Sequence, residues 1–192
     1  MAESYRLTAS QALALMQKGD ITVEDYAKSL LARVNARDNV VKAWAYLDPD
    51  FVLAQAKKLD RIPAEKRGPL HGIAIGVKDV ILTKGKLYFP FSSPIVDHVG
   101  CLDMPTCHNS PIYKGEGPSL VDAAPIITLR AAGALIFGKT TTTEFASTVN
   151  GGPSTNPHDP ERTPGGSSSG SGAAVGDYQV LNLSILPEQI TG

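Results

Sequence analysis

Apolar residues recur at helical spacing through the first sixty positions of the chain. Thr8 opens a capping-box pattern, and Gly19 is placed to end the helix that follows. Thr22 is predicted to start a second helix, and the pair at 48–49, Asp-Pro, a third. Between the last two, the short apolar run at 44–47 predicts a strand. These helices cluster no catalytic residue types, so we predict that they supply packing and surface.

The pattern then changes from helical spacing to alternation. Ile73, Ile75 and Val77 alternate with small residues, which predicts a strand with close neighbours on one face. Lys78 follows directly. A strand-end lysine usually reaches solvent, whereas an apolar setting would lower its pKa and make it a base. Spacing alone does not choose between these interpretations; His71, just before the strand, is predicted to be a satisfied structural residue.

Helix, strand and turn signals alternate again further along the chain. Ser119 is predicted to cap a helix that Gly133 closes. A buried strand is predicted at 134–139 and another helical start at 144–146. This alternation favours an α/β domain, in which N-terminal helices precede part of a mixed sheet flanked by helices.

A glycine- and serine-rich run at 163–175 is the most distinctive stretch of the sequence. It predicts a loop over 165–172 that presents N–H groups and hydroxyls to something small, followed by a buried segment at 173–175. A flexible linker is the alternative, but linkers usually have polar borders, whereas Pro164 and an Ala-Ala-Val segment flank this run.

Length, net charge and cysteine content exclude several classes of function. The 192 residues are 42% hydrophobic with a net charge of −1, which suits one domain or part of a larger one. That charge gives no reason to expect nucleic acid or an anionic membrane as a partner. Cys101 and Cys107 form neither a disulfide framework nor a zinc pattern. No apolar run reaches membrane-spanning length and no secretory signal is recognised, so a cytoplasmic location is expected.

Three segments, 70–80, 129–140 and 162–175, resemble the amidase signature family in the family's own order. The resemblance implies hydrolysis of a small carboxylic amide by a Ser-Ser-Lys triad on a mixed α/β sheet, without metal or organic cofactor. It also implies an incomplete fold here, with a helical region at 1–62 and the start of the α/β catalytic core at 63–192. It says nothing of oligomeric state or of the particular amide.

Matched by position, Lys78 corresponds to the family's catalytic lysine. Ser167 corresponds to the bridging serine, which in the family lies on a cis peptide bond. The resemblance further implies a supporting loop, made of Gly165, Gly166, Ser168 and Ser169. A serine hydroxyl is a weak nucleophile without a base, and a neutral lysine can take its proton through a bridging hydroxyl.

The sequence departs from the family at 85–102. This segment separates the lysine motif from the run at 103–106, Asp-Met-Pro-Thr, that normally follows closely. Translated non-coding sequence is one hypothesis and a real surface loop the other. In either case we expect the segment to be poorly ordered and to pack little.

A second departure concerns the nucleophile. The position of the family's nucleophilic serine falls on Thr191, and the preceding run at 181–190 does not match the family. We therefore expect a truncated, inactive amidase domain. The alternatives are a phosphate- or nucleotide-binding module that uses 165–172 as an anion cradle, and a non-catalytic remnant that binds a partner or misfolds.

Overall fold

The computed structural model describes residues 3–84, 104–113, 119, 121–148 and 152–180. Five helices and three strands lie in this part of the chain. In chain order they are α1 (Ala9–Lys18), α2 (Val23–Val41), β1 (Trp44–Tyr46), α3 (Pro49–Asp60), β2 (Ala74–Lys78), α4 (Ala124–Ala131), β3 (Leu135–Thr140) and α5 (Ser169–Gly176). The predicted segment at 85–102 and the run at 181–190 lie outside the described residues.

The predicted starts of the first three helices are confirmed, and so is the predicted end of the first. Thr8 and Gln11 form a reciprocal capping box at the start of α1, and Gly19 ends it in the left-handed region at a φ of 80°. The Thr22 hydroxyl accepts the Asp25 N–H at the start of α2. The Asp48 carboxylate accepts two N–H groups of the first turn of α3.

The predicted start of α4 at Ser119 is wrong. The helix begins at Ala124, and the Ser119 hydroxyl instead donates to the Val121 carbonyl. Pro125 explains the difference: within the first turn its missing N–H costs nothing, whereas in a helix that began at Ser119 it would remove an interior hydrogen bond. Gly133 does follow the end of α4, with a φ of 86°. The helical start predicted at 144–146 is a single 3₁₀ turn.

The three strands form one mixed sheet in the order β1-β3-β2. β2 runs parallel to β3, and β1 runs antiparallel to it. Every residue of β3 is buried, and successive side chains point to opposite faces, so both faces of the central strand are covered. Helix α3 packs against β3, and α5 packs against all three strands. Within the described residues, no helix is long and apolar enough to cross a membrane.

A buried carboxylate fixes the end of α5 to α2. Asp177, 2% exposed, accepts hydrogen bonds from Arg33 at 2.8 Å and Arg37 at 3.1 Å. Its second oxygen accepts from Gln179, whose side-chain oxygen in turn accepts from the Trp44 indole. Because all of these groups are hydrogen-bonded, the carboxylate is compensated in its buried position.

The start of α5 lies in direct backbone contact with the sheet. The Gly170 N–H donates to the Thr141 carbonyl, and the Thr141 N–H donates to the Ala43 carbonyl, each at 2.9 Å. A Cβ atom added to Gly170 would overlap the Ala43 carbonyl oxygen and the Thr141 amide nitrogen. Only glycine permits this approach, which brings the serine run to the end of β3.

We therefore expect Gly170→Ala to lower the free energy of unfolding by about 2–3 kcal/mol, since backbone must move to admit the methyl group. Gly172→Ala is the matched control on the same helix. Its added Cβ would meet only the Pro164 carbonyl oxygen at 3.7 Å, an ordinary contact. Urea unfolding measures both, and equal midpoints for the two variants would contradict the predicted close approach.

Candidate active site

The carboxyl ends of β2 and β3 meet at one edge of the sheet. Lys78, the last residue of β2, lies opposite Thr140, the last residue of β3. The chain then continues through 141–143, three threonines that are at most 2% exposed. This edge is where an α/β sheet brings side chains from separate strands together.

Hydrogen bonds attach the serine run to this edge. The Ser167 carbonyl accepts from the Thr142 hydroxyl at 2.9 Å and from the Thr143 N–H at 3.1 Å. The Thr140 and Ser171 hydroxyls are 2.7 Å apart. Together with the backbone contact of Gly170, these bonds fix the run to one strand end, so it is not a flexible linker.

The Lys78 ammonium donates to the Ser167 hydroxyl at an Nζ–Oγ distance of 2.7 Å. The predicted proximity of these two residues is confirmed. The Gly166–Ser167 peptide bond is cis, as the resemblance implies. Burial lowers the pKa of Lys78 below the ordinary lysine value, because the charged form loses hydration. The pair can therefore pass a proton between nitrogen and oxygen.

The remaining predicted loop residues surround this contact. Gly165 adopts a left-handed conformation, with a φ of 90°, just before the cis bond. Ser168 lies at the N-terminus of α5, and Ser169 is its first residue, so the helix starts inside the run that predicts a loop up to 172. The Ser169 hydroxyl is fully buried and has no hydrogen-bond partner among the described residues. Thr191 lies outside the described residues.

Two amide groups that an anion cradle would need are already used. The Gly170 N–H donates to Thr141, and the Gly172 N–H donates to the Ser168 carbonyl at 3.0 Å. These contacts weaken the phosphate-binding alternative for 165–172. In the described part of the chain, no group of three or more His, Cys, Asp or Glu side chains is placed to hold a metal ion.

His71 is a buried residue away from the lysine–serine contact. It lines a cavity of about 120 Å³ with Met16 and Arg67, beside the start of α2. Neither ring nitrogen has a hydrogen-bond partner among the described residues, so none of these residues satisfies the side chain as predicted. Burial lowers the pKa of the ring, which favours the neutral form.

Sequence reasoning missed a second lysine at the same sheet edge. Lys139 is fully buried, and its Nζ donates to the Ile81 carbonyl at 2.8 Å and to the Thr106 hydroxyl at 2.6 Å. The Asp79 carboxylate lies 3.7 Å from the same nitrogen. Burial lowers the pKa of Lys139 to about 8, although the carboxylate opposes this effect. A lysine after five apolar or small residues was the signal available in the sequence.

Asp79 organises the loop beside Lys78. Its carboxylate accepts from the N–H groups of Cys107 and Asn109 at 3.2–3.3 Å. Its own N–H donates to the Thr140 carbonyl, and its carbonyl accepts from the His108 N–H. One residue therefore connects the end of β2, the end of β3 and the loop at 106–109.

The family described as Amidase matches residues 25–88 and 95–182. Because the match covers more than half of the sequence, this chain belongs to the amidase family. Residues 89–94, between the two matched parts, lie inside the segment predicted as an insert.

Curated relatives agree with this assignment. A glutamyl-tRNA(Gln) amidotransferase subunit of Chloroflexus aurantiacus is 40% identical over 187 residues, which are 94% of this chain and 34% of the relative. The protein of the same name from Acidothermus cellulolyticus is 37% identical, over 93% of this chain and 33% of the relative. This chain thus spans about a third of the length of the curated relatives it matches.

Solved structures confirm the mixed α/β fold class. Native peptide amidase from Stenotrophomonas maltophilia has a TM-score of 0.70 and 30% identity, over 88% of this chain and 34% of that structure. The glutamyl-tRNA(Gln) amidotransferase subunit of Thermotoga maritima has a TM-score of 0.68 and 28% identity, over 94% of this chain and 34% of that structure.

The pKa of Lys139 predicts a pH dependence of stability. An ordinary lysine titrates near 10.5 and Lys139 near 8, so between these values the unfolded chain binds more protons than the folded chain. The free energy of unfolding should therefore rise with pH across this window, by up to about 3 kcal/mol from this residue.

Urea unfolding at several pH values between 8 and 10.5 measures this contribution in wild type and Lys139→Met. The wild type should gain stability relative to Lys139→Met as pH rises. Lys18→Met, at an exposed position, is the control and should follow wild type. Parallel curves for wild type and Lys139→Met would contradict the lowered pKa.

Proposed function

We propose that Lys78 and Ser167 form the proton-transfer half of an amide-hydrolysing site. The observation that carries this proposal is the 2.7 Å contact between a half-buried lysine and a serine whose carbonyl is held by two donors. Neither residue needs a further movement to exchange a proton. The membership of the amidase family supports the reaction class.

The proposed chemistry uses the neutral form of Lys78. Its nitrogen accepts the Ser167 proton while the Ser167 oxygen accepts the proton of the nucleophile that attacks the amide carbon. When the C–N bond breaks, the same two groups return a proton to the departing amine. Burial favours this role because it increases the fraction of Lys78 that is neutral near pH 7.

The proposed substrate class is a carboxylic amide. One similar structure is named as a peptide amidase, and the curated relatives are named as subunits of an amidotransferase. A carbon–nitrogen bond of an amide is common to both names, and only that shared chemistry is extended to this chain.

The nucleophile is the missing part of the proposal. Thr191 stands at the corresponding position, outside the described residues. A reacting group misplaced by ~1 Å can cost ~10²-fold in rate, and each absent oxyanion donor roughly 10²–10³. We propose that residues 1–192, as the incomplete amidase domain with a helical part at 1–62 and catalytic core from 63, do not supply the full triad.

Lys78 should consequently titrate at a lower pH than an exposed lysine of the same chain. Competitive acylation with acetic anhydride across about pH 6–11, read by mass spectrometry for each lysine, measures this difference. Lys18, exposed at the end of α1, is the internal control. If the pH profiles of Lys78 and Lys18 coincide, Lys78 is not a poised base and the proposed function loses its support.

The isolated polypeptide of residues 1–192 should not hydrolyse simple aliphatic or aromatic amides at an enzymatic rate. The assay compares it with Lys78→Ala and Ser167→Ala, and Ser147→Ala serves as a control on the exposed surface. Turnover that is lost in the first two variants and kept in the control would contradict the missing nucleophile, while supporting both assigned roles.

A further inference from the structure

The contact between Lys78 and Ser167 satisfies the requirements of more than one role. Within the described part of the chain, the Ser167 hydroxyl is the one hydrogen-bond partner of the Lys78 nitrogen, at 2.7 Å. The proposed function uses this hydroxyl to relay a proton between the base and a separate nucleophile. A hydroxyl within hydrogen-bonding reach of a base is also what a nucleophilic serine requires.

The surroundings of Ser167 leave its hydroxyl accessible. Ser167 is half-buried, and Gly165 and Gly166 before it are exposed. A Cβ atom added to Gly165 would meet no described atom within 4 Å, so an acyl group can approach from this side. Several other hydroxyls near the end of β3 are bonded elsewhere or enclosed, namely those of Thr140, Thr142, Thr143, Ser169 and Ser171.

Helix α5 begins directly after this hydroxyl. Ser168 precedes the first turn and Ser169 is the first residue of the helix, and their N–H groups donate to no described residue. Free N–H groups at a helix N-terminus carry a partial positive charge, which stabilises a nearby anion. Where a serine at the turn before a helix attacks a carbonyl carbon, the N–H group of the next residue can bind the oxyanion. The position of Ser167 therefore favours such an attack.

We propose that Lys78 and Ser167 form a serine–lysine dyad in which the Ser167 oxygen is itself the nucleophile toward activated carboxylic esters. The inference rests on the proposed function of Lys78 as a base, and it adds an activity that needs no second hydroxyl. Serine–lysine pairs serve as variants of the catalytic triad on other folds. The two threonine donors that hold the Ser167 carbonyl fix the backbone of the nucleophile.

The reaction has two steps. In the first, the Ser167 proton passes to the neutral Lys78 amine, the Ser167 oxygen bonds to the acyl carbon, and the ester C–O bond breaks to release an aryl oxide. Lys78 then loses its proton to solvent. In the second, Lys78 takes a proton from a water molecule whose oxygen attacks the acyl carbon, and that proton returns to the Ser167 oxygen as the carboxylic acid leaves.

Activated esters differ from amides in the group that departs. An aryl oxide leaves without taking up a proton, whereas an amine has to be protonated as the C–N bond breaks. The dyad is therefore expected to accept an acyl group from an aryl ester, and the expected lack of amide turnover by residues 1–192 is unchanged.

Reaction of residues 1–192 with p-nitrophenyl acetate tests the inference, with release of p-nitrophenolate followed by absorbance and the acetylated residue located by mass spectrometry. We expect the acetyl group on Ser167. Lys78→Met should slow this acetylation by at least about 100-fold, the lower end of what a positioned base contributes. Ser147→Ala, at an exposed position, is the control and should react at the wild-type rate.

The pH dependence of the wild type decides the question if circular dichroism shows that Lys78→Met does not fold. Acetylation of Ser167 should rise with pH along the titration curve of Lys78 that competitive acylation gives, because only the neutral amine accepts the serine proton. A rate that does not follow this curve would overturn the inference.

The outcomes separate the dyad from the proposed function. Acetyl on Lys78 in place of Ser167 would make the amine the nucleophile, which overturns the inference and leaves a poised base. Acetylation of Ser167 no faster than that of Ser147, or equally fast in folded Lys78→Met, would also overturn the dyad alone. Coincident pH profiles of Lys78 and Lys18 would instead remove the base, and with it the proposed function.

Discussion

The contact between the end of β3 and the start of α5 determines the geometry of the candidate site. Thr142 and Thr143 both donate to the Ser167 carbonyl, and Gly170 donates to Thr141. These bonds fix the serine backbone from one side only, so the Ser167 hydroxyl remains available to Lys78. Glycine at 170 is required because the two backbones leave no room for a side chain. Without this close contact, the position of Ser167 relative to Lys78 would not be fixed.

Local signals in the sequence predicted much of the fold. The caps at Thr8, Thr22 and Asp48 each depend on residues within three positions, and the strand predicted at 134–139 differs from β3 by one residue at each end. The errors arose where distant contacts compete with local preference. Glycine and serine disfavour helix, yet α5 starts at Ser169 because Thr140 and Thr141 hold its first turn. Tertiary hydrogen bonds there outweigh propensity.

The sequence likewise predicted one part of the candidate site and not the other. Lys78 and Ser167 are 89 positions apart, and only the resemblance of both segments to one family predicted that they meet. The pairing of Lys139 with Asp79 had no such guide. Its other contacts come from Ile81 and from Thr106, which lies beyond the segment at 85–102, so no spacing in the sequence indicated them. The strand at 134–139 is predicted to be buried, but nothing local shows that a carboxylate lies beside Lys139.

The two lysines at this sheet edge differ in the chemical role that their surroundings favour. Burial acts on both in the same direction, and it lowers the pKa of each below the ordinary lysine value. Their partners differ: Lys139 faces a carboxylate that favours its charged form, whereas Lys78 faces a hydroxyl that can give or accept a proton. A pair of titratable groups with unlike surroundings is the usual way in which a site separates an electrostatic role from a proton-transfer role. Because a buried ion pair contributes little net stability, the Asp79–Lys139 pair is better explained by the loop at 106–109 that its contacts fix to the sheet than by the strength of its own attraction.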